Sequence, residues 1–191
     1  LKSFTTLLSV KIGIAQLKIS KTKYQILKMH NFENMNIKLI AIGKTDNKNL
    51  VALIEDYAKR LSFYIKFDFE VIPDLKKVKH LSEAQQKEKE GELILAKIQN
   101  SDVLILLDEN GKQMTSEAFS DYLQKHMNSG IKTLIFVIGG PYGFSDAVYN
   151  RANGKLGLSK MTFSHQMVRL FFIEQLYRGF TILKNEPYHH R

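Results

Sequence analysis

Four side chains near the carboxyl end combine types that can move protons and hold anions: His165, Arg169, Tyr188 and His189. Imidazole and phenol groups exchange protons or stack on a nucleic-acid base, and a guanidinium holds phosphate. At 100° per residue, His165 and Arg169 share one face of a predicted helix with Phe172, Ile173, Leu176, Phe180 and Leu183. An Arg on an apolar face is rare unless it is paired. Either it bonds backbone carbonyls or a carboxylate as structural glue, or it joins His165 in a polar pocket at the helix start. Glu174 and Arg178, four apart on the opposite side, read as a surface salt bridge worth about 0.5 kcal/mol, or as part of a second buried side. The tail Tyr188-His189-His190-Arg191 is either a frayed terminus or a functional end, and two His are too few for a tag.

A second chemical signal lies in the backbone. Gly139-Gly140-Pro141-Tyr142-Gly143 follows the apolar run Leu134–Ile138. Glycines let a backbone come close to a ligand, and they also build ordinary turns. The segment is not G-x-G-x-x-G and no Walker A pattern occurs, so neither a dinucleotide nor an ATP site is indicated. Cys is 0, which removes disulfides, thiolate metal sites, iron–sulfur clusters and Cys nucleophiles, and fits a reducing compartment such as the cytoplasm. No H-x-x-x-H ligand pair appears, so no metal is expected. No run of about 18 apolar residues exists, so no membrane span is expected either.

These groups need a scaffold, and the apolar pattern supplies one. Ile37–Ile42, Val103–Leu107 and Leu134–Ile138 read as buried strands, and Ile65–Ile72 alternates with the period of a strand. From Asn49, the residues Leu50, Leu53, Ile54, Tyr57, Ala58 and Leu61 form one helical stripe. Ser82 and Gln85 have the spacing of a capping box, opening a helix to about Ile98. Gly91 inside it costs up to about 1 kcal/mol relative to Ala, which points to close packing there. Asp108-Glu109-Asn110-Gly111 reads as a turn, Ser116–Met127 as a helix, and His165–Leu183 as a long final helix. Strands alternating with helices imply an α/β fold, a mostly parallel sheet with helices on both faces. Ligands in such sheets bind beyond the carboxyl ends of strands, which singles out the segments after Leu107 and after Ile138. The final helix is apolar around most of its circumference, and the second buried side suggests a homodimer.

The chain has 191 residues, 44% hydrophobic and 25% charged, which suits a folded domain with a core rather than a disordered chain. Of the formal charge of +9, residues 1–34 carry +5, with six Lys against one Glu. That segment is read as a basic N-terminal extension outside the fold, an upstream stretch or a mis-set start, because Met29 and Met35 precede the first strand. A targeting peptide and a basic RNA-binding arm are the alternatives. Residues 35–191 are read as a single domain carrying +4, a modest charge for an RNA binder that a dimer would double to about +8.

Three blocks together resemble one family. They are Val137–Gly143, then Leu158-Ser159-Lys160-Met161-Thr162-Phe163-Ser164-His165-Gln166-Met167-Val168-Arg169, then Ile173–Arg178 with the terminal Pro187-Tyr188-His189. In order and spacing they resemble the RlmH family of the SPOUT superfamily, large-subunit rRNA pseudouridine N3-methyltransferases, over about Met35 to Arg191. The resemblance implies a C-terminal trefoil knot, an exception to the no-knot rule. It implies a homodimer that binds S-adenosyl-L-methionine in the knot and methylates N3 of a pseudouridine in the helix 69 loop of 23S rRNA on the assembled ribosome. The family's cofactor contacts map onto Leu107, Gly139, Leu158, Ser159, Lys160, Met161, Thr162 and Phe163. His165, Arg169, Tyr188 and His189 become the candidates for proton and charge handling, with Tyr188 and His189 reaching over the other subunit's cofactor. Three positions depart from the pattern: Ser164 stands where relatives often have Pro, Tyr142 replaces a polar residue, and His190 intervenes before Arg191. The rival readings are a SPOUT methyltransferase acting on another RNA such as tRNA, and a non-catalytic ribosome-binding module.

Overall fold

A computed structural model describes residues 35–75 and 81–189 of the chain. The first strand, β1 (Asn36–Ile42), sends Ile37, Leu39 and Ala41 to one side and Ile40 and Ile42 to the other, all buried. A strand apolar on both faces belongs inside a covered parallel sheet. It sits beside β2 (Lys66–Ile72) and β4 (Thr133–Ile138), and β4 in turn pairs with β3 (Val103–Gln113), which pairs with β5 (Gly154–Gly157). The order is β2-β1-β4-β3-β5, and every pairing is parallel. Strand order changes direction around β1 and β4, where open α/β sheets leave a crevice at their carboxyl ends.

Helices α1 (Lys48–Leu61), α3 (Ser116–Asn128) and α5 (Met167–Leu183) cover one face. Their residues Ile54, Leu61, Phe119, Leu123, Phe172, Leu176 and Phe180 form one core with Ile37, Leu39, Leu134 and Phe136. The other face is covered by α2 (Glu83–Leu95) and α4 (Asp146–Arg151), where Ile94 and Val148 pack on Ile40, Leu104, Leu106 and Val137. The α/β sheet with helices on both faces is therefore the observed architecture.

The caps explain where helices start. Asn47 accepts from the backbone N–H groups of Asn49 and Leu50, so α1 opens one residue before the expected Asn49. The Ser82–Gln85 capping box is closed in both directions. Thr115 caps α3 by accepting from Ala118 N–H. The last helix starts at Met167, two residues later than expected, and Ser164 Oγ accepts from Met167 N–H at 3.3 Å. The serine that departs from the family pattern thus bonds the first turn.

Other differences have local causes. Leu53 is 46% exposed although it lies on the predicted stripe, because Ile54 and Leu61 take the positions facing the sheet. Beyond the Ala96 cap the chain continues in turn-type bonds, such as Lys97 N–H to the Ile94 carbonyl. Most consequential, β3 does not end at Leu107. Asp108–Gly111 arches out of the ladder and the strand resumes, so that Leu107 and Lys112 both register with Leu156. No helix among the described residues is long and apolar enough to cross a membrane.

Candidate active site

Beyond the carboxyl end of β4, beside the arch of β3, lies an open cavity of about 500 Å³, the size of a small-molecule site. Three stretches wall it: Leu107–Asn110 where β3 arches out of its ladder, Ile138–Phe144 leaving β4, and Leu158, Ser159, Met161, Thr162 and Phe163 following β5. Tyr149 of α4 and His165 and Val168 at the start of α5 complete it. The turn after β4 is closed by Gly143 N–H donating to the Gly140 carbonyl at 3.1 Å. Of the residues expected around a cofactor, Leu107, Gly139, Leu158, Ser159, Met161, Thr162 and Phe163 border this one space. Lys160 stands exposed between its lining neighbours. Ser159 Oγ accepts from Met161 N–H at 2.9 Å, shaping that loop.

Two polar wall residues escaped sequence reasoning. Tyr149 donates its hydroxyl proton to Asp108 Oδ2 at 2.6 Å, and Asp108 Oδ1 accepts from Asn110 N–H at 2.8 Å. The segment after Leu107 was singled out by its place beyond a strand, but Asp108 within it was legible only as a turn residue. Burial, and then the bond to Asp108, push the Tyr149 phenol up to about 12. The fold favours neutral Tyr149, so this stabilisation is present below the ordinary tyrosine value near 10 and is lost as pH rises toward 12. In an alkaline titration read by tyrosinate absorbance, Tyr149→Phe should remove one phenol that ionises near 12 and leave the earlier phase unchanged. Loss of amplitude near pH 10 instead would contradict the Tyr149–Asp108 bond.

Arg169 does not line the cavity. It is 1% exposed, and its guanidinium donates to Thr45 Oγ1 and to the Ile42 carbonyl, each at 2.7 Å. This is the arrangement of structural glue, tying α5 to the loop after β1. Gln166 repeats it, its Oε1 accepting from Asp46 N–H at 3.1 Å and Asn47 N–H at 3.3 Å. Burial pulls the Arg169 pKa down, and Asp74 and Asp46 oppose that pull. Arg169→Ala should lower stability by about 2–4 kcal/mol in urea denaturation, since hydrogen bonds of a charged donor are worth about 1.5–3 kcal/mol each and two acceptors are left unpaired.

The tail folds back on its own chain away from the cavity lining. Tyr188 donates to Glu174 Oε1 at 3.0 Å and lies 3.1 Å from the Tyr57 hydroxyl. Its ring meets Tyr177 edge-on at 4.8 Å, and the Arg178 guanidinium lies 4.8 Å from its centre. Glu174 and Arg178 pair as their spacing suggested, with side chains only 16% and 26% exposed, so the pair belongs to this cluster rather than to open surface. Burial pushes the Tyr188 phenol well above the ordinary tyrosine range. His189 Nε2 lies 2.9 Å from Glu117 Oε1, and His189 Nδ1 is buried without a partner among the described residues. The Glu117 carboxyl is held down at about 2, first by its own backbone N–H at the start of α3, then by His189 and Thr115. His190 and Arg191 lie outside the described residues. Around the start of α5, Met161 is 77% exposed and Phe163 packs on Phe171 with ring centres 5.1 Å apart.

Known proteins resemble this chain over the same region. The family described as Predicted SPOUT methyltransferase matches residues 35–189. Ribosomal RNA large subunit methyltransferase H of Flavobacterium psychrophilum is 80% identical over 157 residues, which is 82% of this chain and 100% of that protein. The protein of the same name from Flavobacterium johnsoniae is 76% identical over the same shares. That from Bacteroides thetaiotaomicron is 56% identical over 82% of this chain and 99% of its own length. Among solved structures, the SpoU methyltransferase AviRb from Streptomyces viridochromogenes in complex with AdoMet gives a TM-score of 0.39 at 12% identity, covering 76% of this chain and 58% of that one.

Proposed function

Since the chain belongs to the SPOUT methyltransferase family, we propose that it methylates N3 of a pseudouridine in the helix 69 loop of 23S rRNA, using S-adenosyl-L-methionine. In this reading it works in the cytoplasm on the assembled ribosome, as a homodimer with a C-terminal trefoil knot. Residues 35–191 are the catalytic unit, and residues 1–34 are an extension. The observation that carries the reading is the convergence of three loops from β3, β4 and β5 on one cavity of about 500 Å³.

The residues present fit the cofactor. Adenosine is flat and largely apolar with polar edges, and Leu107, Leu158 and Phe163 offer apolar surface while the loops at Gly139 and 158–163 offer backbone donors and acceptors. The Asp108 carboxylate, at the end of the first segment of β3, offers an acceptor for a sugar hydroxyl. When bound, the cofactor supplies a methyl group on a cationic sulfur, a ready electrophile.

The protein's part is alignment and charge control. N3 of a uracil-type base carries a proton at neutral pH, and that proton must leave as the new N–C bond forms. A positioned base contributes about 10²–10⁴-fold to such a step. Nearby cations instead stabilise the N3 anion. His165 stands at the cavity of its own chain. Tyr188 and His189 do not line that cavity, and in the proposed dimer they serve the neighbouring subunit's site. Arg169 is a positioning residue, holding the helix start that follows His165. The target base lies in a loop, where extrusion is cheaper than from a duplex.

The test is mass spectrometry of 23S rRNA from a strain lacking the gene. The expected result is loss of one methyl group from the helix 69 loop, restored by the wild-type gene. A methyl group that persists there overturns the proposal. Loss from a tRNA instead selects a different SPOUT substrate, and absence of cofactor binding in calorimetry selects a non-catalytic module.

A further inference from the structure

Behind the Gly139–Gly143 turn sits a carboxylate that the mechanism above does not use. Glu90 of α2 is 3% exposed. Its Oε1 accepts from Gln86 Nε2 at 2.8 Å, while its Oε2 is buried with no hydrogen-bond partner among the described residues. That free oxygen presses on the backbone of Gly140: a Cβ there would lie 2.1 Å from Oε2 and 2.8 Å from the carboxyl carbon. Gly140 lines the cavity, so only a thin layer of backbone separates the carboxylate from the space. The neighbouring contact is as close. A Cβ on Gly91 would lie 2.3 Å from Ser145 Oγ, which is also buried without a partner among the described residues. Carboxylates kept in proteins for packing have their oxygens satisfied, because an unpaired buried charge opposes folding.

The titratable groups facing Glu90 are Asp74, which follows β2, and His165, which lines the cavity. Burial is the main cause raising the Glu90 pKa, Asp74 adds to it, and Gln86 and His165 act in the opposite sense. The free oxygen of Glu90 lies against Gly140, which lines the cavity, so the field of Glu90 extends into that space. Inside a protein wall that field is weakly screened.

We propose that Glu90 is the buried counter-charge for the cationic sulfur of the methyl donor, a specificity-determining residue that favours the donor over the spent product. The inference rests on the proposed function. In the reaction the methyl carbon leaves sulfur for N3, the C–S electron pair stays on sulfur, and the N3 proton departs to the base. Sulfur thereby becomes a neutral thioether. The attraction of Glu90 is present before transfer and absent after it, which holds the donor and releases the product.

The test compares S-adenosylmethionine with S-adenosylhomocysteine in calorimetric titrations of the full chain. The two share every part except the charged methyl-bearing sulfur. Glu90→Gln keeps the shape and removes the charge. It should weaken S-adenosylmethionine about tenfold and change S-adenosylhomocysteine by less than about twofold, whereas Glu90→Asp should retain most of the preference. Equal losses for both ligands, or no change in either, overturn the inference. If Glu90→Gln does not fold, wild type is titrated with sinefungin, which carries an ammonium where the donor has its sulfonium methyl. It should bind more tightly than S-adenosylhomocysteine, and binding no tighter than S-adenosylhomocysteine overturns the inference. Wild type that binds neither ligand refutes the proposed function itself, a result distinct from binding without charge preference.

Discussion

Gly111→Ala should lower stability by about 3 kcal/mol and abolish cofactor binding, a large effect for one methyl group. A Cβ at residue 111 would stand 2.4 Å from the Leu156 carbonyl carbon and 2.5 Å from Gly157 N. Both are backbone atoms of β5, so no side chain can swing aside. Relief requires β3 and β5 to separate where Leu107 and Lys112 share Leu156 as partner. That junction carries two of the three cavity walls, the arch at Asp108–Asn110 and the loop from Leu158. Urea denaturation reads the first effect and calorimetry with S-adenosylmethionine the second. A variant within about 0.5 kcal/mol of wild type that binds normally would show that the arch is not held against β5.

The same junction shows where sequence reading stops. Ile37, Leu39 and Ala41 against Ile40 and Ile42 display their two burial faces in the residue types alone, so the sheet and its covered faces were legible. Asp108-Glu109-Asn110-Gly111 is a turn signature whether the chain reverses or merely arches out of a ladder. What decides is pairing with Gly154–Gly157, four residues too short and too glycine-rich to show a period. The cavity was legible in part, because strand carboxyl ends in α/β sheets are where ligands go, and Leu107 and Ile138 mark two such ends. Tyr149 was not, since α4 has six residues and no readable stripe. For Arg169 the apolar face was legible but the partners were not. Thr45 and Ile42 lie 124 and 127 residues away, and no local pattern encodes a contact of that separation. Tyr57 and Glu117, the partners of Tyr188 and His189 on α1 and α3, lie 131 and 72 residues away and were hidden for the same reason.

Removing residues 187–191 should reduce methyl transfer by about 10²–10⁴-fold while cofactor affinity stays within about twofold. The truncation takes away Tyr188 and His189, whose contacts on this chain are Tyr57, Glu117, Glu174, Tyr177 and Arg178. None of these residues lines the cavity, so the walls stay intact and binding survives. The stability change should be small, about 1–2 kcal/mol for the lost tail bonds. Normal turnover by the truncated protein removes the tail from the mechanism. If turnover is lost, a mixing experiment separates action within a chain from action across the dimer. Gly140→Val disables its cavity, because the added side chain strikes Glu90 and pushes the lining turn out of place, and that subunit keeps its tail. Paired with a truncated subunit, it should restore methylation, because the intact tail then reaches the intact cavity of its neighbour. No restoration, with heterodimers shown to form, places the action of Tyr188 and His189 on their own chain.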